Sequence, residues 1–133
     1  MKKLLMLFLI CCILSVMGCS KEKEQSEAVK IDFSVVSEEC IPKELLEQIE
    51  AKKSEPFKLT FTDEEDLYIC IGYGEQKSGG YSICVLECSR LTNAVSVDTN
   101  LVGPKPDDTK KEGKSYPYIV LRMQDQKVPV VFN

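Results

Sequence analysis

Apolar and polar residues change period several times along this chain, and each change marks an expected element. Residues 4–17 are almost wholly apolar and follow Lys2 and Lys3. The run is roughly fourteen residues, too short for a helix to cross the ~30 Å hydrocarbon layer, so it reads as the apolar core of a signal peptide. Further on, "VKIDFSVV" alternates, with Val29, Ile31, Phe33 and Val35 on one side and Lys30, Asp32 and Ser34 on the other. That is the pattern of a half-buried strand. In "IPKELLEQIEAKK" the period lengthens: Leu45, Leu46 and Ile49 share a helical face. Pro42 suits a first helical position, and Glu44 and Glu47 precede Lys52 and Lys53 as the helix dipole favours. A helix is expected over about 42–53, ending near Pro56.

Alternation returns in "FKLTFTD", with Phe57, Leu59 and Phe61 inward. After the acidic turn "DEED", the runs "LYICIGY" and "YSICVLEC" are apolar at nearly every position. Such strands need cover on both faces, and the two read as the central antiparallel pair of a sheet. "NAVSVDTNLV" and "YIVLRM" add two strands and "VPVVF" a short last one, where Pro129, lacking an N–H, fits an edge. Residues 103–117, "GPKPDDTKKEGKSYP", form a long polar loop. No internal repeat is present. The expected fold class is α+β: a small antiparallel sheet domain of six to seven strands with one N-terminal helix.

The N-terminal end carries its own chemistry. Val16-Met17-Gly18-Cys19 has the order of a bacterial lipobox: aliphatic, adaptable, small, then cysteine. The small residue lets a peptidase reach the backbone, and the thiol accepts the thioether-linked diacylglycerol. Residues 1–18 are therefore expected to be a lipoprotein signal peptide and Cys19 the lipidated first residue. Residues 19–28 form a polar tether, since "SKEKEQSE" holds no apolar side chain. Two or three fatty (palmitate-type) chains anchor firmly, each buried methylene contributing about 0.8 kcal/mol. Residues 29–133 then form one domain, enough for a modest core. Losing Lys2 and Lys3 with the leader lowers the basic count from 17 to 15 against 21 acidic residues, a net charge of −6. That balance disfavours nucleic acid as a partner and leaves membrane affinity to the anchor. The expected location is the extracytoplasmic face of the cell membrane.

Catalytic chemistry is thin. No histidine occurs, which removes the usual general base, the usual partner of a nucleophilic Ser or Cys and the commonest metal ligand. No Ser-x-x-Lys pattern occurs in residues 29–133, and "GEQKSGG" lacks the Gly-Lys-Ser/Thr of a phosphate-binding loop. Neither catalysis nor a cofactor is expected. Beyond Cys19 lie Cys40, Cys70, Cys84 and Cys88. Cys84 and Cys88 on one strand would stand ~13 Å apart at ~3.3 Å per residue, too far to share a zinc ion or a disulfide, so no metal site is expected. Cys70 and Cys84 are a different case. If Tyr73 and Tyr81 face each other across the intervening loop, the two cysteines fall opposite one another, within bridging reach. The competing reading makes both of them buried thiols that act as small apolar side chains.

The loop itself, "GEQKSGGYSICV", holds the other candidates. Gly79 and Gly80 can take positive φ at little cost, and Ser78 can hydrogen-bond nearby backbone. Flanked by Tyr73 and Tyr81, the loop is either a plain turn or a recognition edge where a partner's backbone approaches closely. Taken in order, "GYGEQKSGGYSICV", "GPKP", "SYPYIVLRM" and "VPVVF" resemble the C-terminal domain of PrcB-type proteins over about residues 57–132. Ser78 stands where the family commonly has Thr, and Cys84 where it commonly has an aliphatic residue, which points to a core role for Cys84. The resemblance implies a lipid-anchored, non-catalytic accessory protein, because the family takes its name from a subunit that helps a surface protease complex assemble or stay stable. It assigns no catalytic or ligand residues here. A similar Thr-Gly-Tyr loop occurs in inhibitors of papain-like proteases, which keeps open an inhibitor acting through Gly79-Gly80-Tyr81. A third alternative is a binder of small ligands or cell-wall polymer.

Overall fold

The computed structural model describes residues 27–106 and 112–133. The expected signal peptide, Cys19 and nearly all of the tether lie outside these residues. Among the described residues, eight strands and one α-helix follow in the order β1 (Val29–Lys30), β2 (Ser34–Val35), α1 (Lys43–Lys52), β3 (Pro56–Asp63), β4 (Asp66–Tyr73), β5 (Ser82–Arg90), β6 (Val95–Val102), β7 (Tyr118–Gln124) and β8 (Val130–Phe132). A short 3-10 turn over Glu38–Cys40 precedes α1. Two four-stranded sheets result, one ordered β2-β7-β4-β3 and the other β1-β5-β6-β8. All pairings are antiparallel except β6 with β8.

The sheets pack face to face. Leu67, Ile69, Ile71, Ile119, Leu121 and Met123 from the first meet Cys88, Val95 and Val97 from the second. Opposite faces of β4 and β7 point the other way, so Tyr68, Cys70 and Val120 form a second cluster beneath Ile41, Leu45 and Ile49. The domain thus has three layers: helix, sheet, sheet. β4 is buried at every position between its ends, as its unbroken apolar run requires. α1 places Leu45 and Ile49 on the sheet with no exposed surface, as the period of its apolar residues demands.

Three expectations are corrected. Residues 29–35 are not one strand: β1 pairs with β5 and β2 with β7, so the chain changes sheets midway. Val29 and Val35 consequently lie 63% and 61% exposed, while Ile31 packs on the inter-sheet core. Second, there are eight strands, and one pairing is parallel. Third, β4 and β5 are not partners. Cys70 lies opposite Leu59 and Val120, and Cys84 lies opposite Asn100. Cys70 faces α1, whereas Cys84 projects to solvent between the inward-facing Ile83 and Val85. Both sheets, packed ~10 Å apart, separate the two thiols, and both are free. The bridge is geometrically excluded. The buried-thiol reading fits Cys70 alone, and Cys84 has no core role.

Leu45 tests the helix layer. Leu45→Ala is expected to cost about 2–5 kcal/mol in urea unfolding; a loss below about 1 kcal/mol would mean that α1 does not cover the sheet.

Candidate functional site

Both long loops of the molecule cross between the sheets at the same end. One joins β4 to β5 and contains the glycine loop; the other joins β6 to β7. At its start, Gly74 has φ +74°, and a Cβ there would fall 2.9 Å from Pro56 Cδ. The Glu75 amide donates to the Ser54 carbonyl at 3.2 Å. Gln76 and Ser115 then exchange two backbone hydrogen bonds of 2.8 and 3.1 Å, an antiparallel bridge between the loops. The Ser115 hydroxyl donates to the Ser78 carbonyl at 2.6 Å. At the tip, Gly80 has φ +87°, and a Cβ would stand 3.0 Å from Pro104 Cβ. The positive φ favours glycine there, and a side chain would press on Pro104.

Charged and aromatic groups reinforce the outside of this junction. The Lys114 ammonium lies 2.8 Å from the Glu75 carboxylate, and the Tyr116 hydroxyl donates to the same carboxylate at 3.2 Å. The Lys114 bond chiefly, helped by Tyr116, holds the Glu75 carboxyl below its ordinary range. The Lys53 ammonium sits 5.6 Å from the Tyr116 ring centre. These contacts are exposed and worth little singly; they fix orientation.

Each sequence-predicted residue can now be placed. Tyr73 ends β4, half-buried, and its hydroxyl shares a 2.6 Å hydrogen bond with Thr99 Oγ1 on β6, tying sheet to sheet. Ser78 is held through its carbonyl rather than its hydroxyl. Gly79 is half-buried and Gly80 exposed. Tyr81 leads into β5, its ring at van der Waals distance (3.6 Å) from a Cβ built at Gly103. The loop gathers Ser78, Gly79, Gly80 and Tyr81, with Tyr73 at its other foot and Cys70 and Cys84 elsewhere; Cys19 lies outside the described residues. Sequence reasoning missed Pro104, Ser115 and Tyr116, which stand in the second crossing loop and brace the first. Beside the junction runs a groove of about 430 Å³, lined by Pro56, Phe57, Lys58, Ile71, Gly72, Tyr73, Thr99 and Asn133.

The chemistry on offer is that of shape and backbone. Among the described residues no three His, Cys, Asp or Glu side chains gather to hold a metal. Burial pushes the Cys70 thiol up to about 12, and burial, with Glu87 adding to it, raises that of Cys88. Neither is an activated nucleophile.

Layers and loops together define a small helix-covered β-sandwich with two stitched crossing loops at one end. Residues 67–124 match the family model described as PrcB C-terminal, from the second residue of β4 to the last of β7. The match takes in both crossing loops and falls inside the span suggested by the motifs. No curated protein and no solved structure matches the chain.

Gly80→Ala must strain a positive φ and press on Pro104. It is expected to destabilise by about 1–3 kcal/mol in urea titration; a neutral effect would show that the loop does not rest on Pro104. The Cys70 thiol gives a pH signature. Its stability contribution is fully present below the unfolded-state value near ~8.5 and falls as pH rises toward the folded value, by up to about 1.4 kcal/mol per unit. The gap in urea midpoint between the parent chain and Cys70→Val should therefore shift against the parent from about pH 8 to about pH 10. An unchanged gap would show that the thiol is solvated.

Proposed function

We propose that this chain is a lipid-anchored, extracytoplasmic accessory protein that binds and steadies a surface protease or another envelope protein, without catalysis of its own. The observation that carries the reading is the PrcB C-terminal match over residues 67–124, because it spans the stitched end of the sandwich where Gly80, Lys77 and Glu75 are exposed. A rigid end suits this role: ordering entropy is already met within the free protein, so a partner's contacts convert more fully into affinity. The lipobox at Val16-Met17-Gly18-Cys19 supports attachment at the outer face of a membrane.

Photo-crosslinking from Lys77 on intact cells, with mass spectrometry of the captured species, tests the partner. The expected product contains a protease, whose half-life should shorten several-fold when the chain is deleted. Crosslinks confined to lipid or to the chain itself across growth conditions would overturn the reading. A fall in the protease's turnover on adding purified chain would make the chain an inhibitor instead. Cys19→Ser should abolish processing and release the protein from the membrane fraction; unchanged attachment would remove the anchor from the account.

A further inference from the structure

The edge of the second sheet beside the junction is only half occupied. β8 lies along β6 from Val95 to Val97. There the Val95 amide donates to the Pro129 carbonyl at 2.9 Å, and the Asn133 amide donates to the Val97 carbonyl at 3.0 Å. Backbone groups alternate in direction along a strand, so those of Thr99 and Leu101 point to this same side. Among the described residues no strand pairs with them there. The 430 Å³ groove meets this stretch at Thr99, and Phe57, Ile71 and Tyr73 supply its apolar wall. Because the Thr99 hydroxyl is engaged by Tyr73 at 2.6 Å, what the edge presents is chiefly its main chain.

The β3 edge of the other sheet is protected: its outer side carries Pro56 and Lys58. Proline, lysine and bulges are the usual devices against strand addition. The β6 segment Thr99-Asn100-Leu101-Val102 has none of them.

We propose that this edge is a docking strand for an extended segment of a partner polypeptide, which adds to β6 in line with β8. The occupant's chemistry follows from continuity: β8 shows that this edge accepts an extended strand with apolar residues inward, Val130 and Phe132 packing on the core. An added strand would exchange main-chain hydrogen bonds with Thr99 and Leu101 and set alternate apolar side chains against Phe57 and Tyr73, as strand-addition complexes do. Its path leads toward Gly103 and Pro104, and so to the Gly80 tip. The inference rests on the accessory-protein reading only for who supplies the segment.

The test uses the full-length chain in detergent micelles and a synthetic peptide of about nine residues, a common strand length, alternating threonine with valine and phenylalanine. The same peptide, fully N-methylated, cannot donate main-chain hydrogen bonds and is the control. Amide exchange followed by NMR should slow about tenfold or more at Thr99 and Leu101 with the first peptide, and not with the second. Leu101→Pro, which removes an N–H on the open side only, should lose the peptide. Slowing at Lys58, Thr60 and Thr62 instead, equal action of the methylated peptide, or no slowing at about 1 mM peptide would overturn the proposal. Pairing here can succeed although the cellular partner is no protease, and a protease can co-purify while this edge stays open, so the two failures are distinguishable.

Discussion

The main-chain bridge between Gln76 and Ser115 is the constraint on which the looped end of this molecule depends. The chain leaves the helix-covered sheet at Tyr73, returns to it at Tyr118, and makes both crossings at one end of the sandwich. Two crossing segments of this length would each carry a closure and ordering cost. The bridge fastens Gln76 of one to Ser115 of the other. The Ser115 hydroxyl on the Ser78 carbonyl, the fit of Gly80 on Pro104, and the Glu75–Lys114 pair all act on segments that the bridge has already brought into register.

Packing explains how that end is held in place. β4 and β7 are buried between α1 and the second sheet, so the feet of both loops stand on the least exposed part of the core. The second sheet has only one covered face. Its outer surface shows Cys84 and the 62% exposed Leu86 to solvent, and among the described residues no strand pairs with the outer side of β6 past Val97. Stability is concentrated in one sheet, and the accessible main chain and apolar surface in the other.

Much of the fold was legible because particular residues leave only one reading. Leu45, Leu46 and Ile49 could share a face only in a helix, and the continuous "LYICIGY" could only be a strand covered twice. Neighbourhood was not legible. A seven-residue loop between Tyr73 and Tyr81 suits a hairpin as well as a crossing, and nothing local distinguishes them. Cys84 and Leu86 look like core by composition, yet they face water because, among the described residues, no helix covers that side. Alternation in residues 29–35 reports an apolar side but not that the chain changes sheets at Asp32. In the loop, the Gly79-Gly80 signal marked a chain reversal, and Gly80 alone of the two takes a positive φ there. Its braces, Pro104 and Ser115, were hidden in a polar loop whose composition speaks of exposure and whose backbone pairing depends on tertiary placement.

The most direct measurement is native-state hydrogen exchange at two main-chain amides, those of Gln76 and Ser115. If the bridge is the central constraint, both should be protected to nearly the same degree as the flanking strand amides of Ile71 and Ile119, and should open together with them. Exchange at the rate of an unstructured chain, while Ile71 and Ile119 remain protected, would contradict the account.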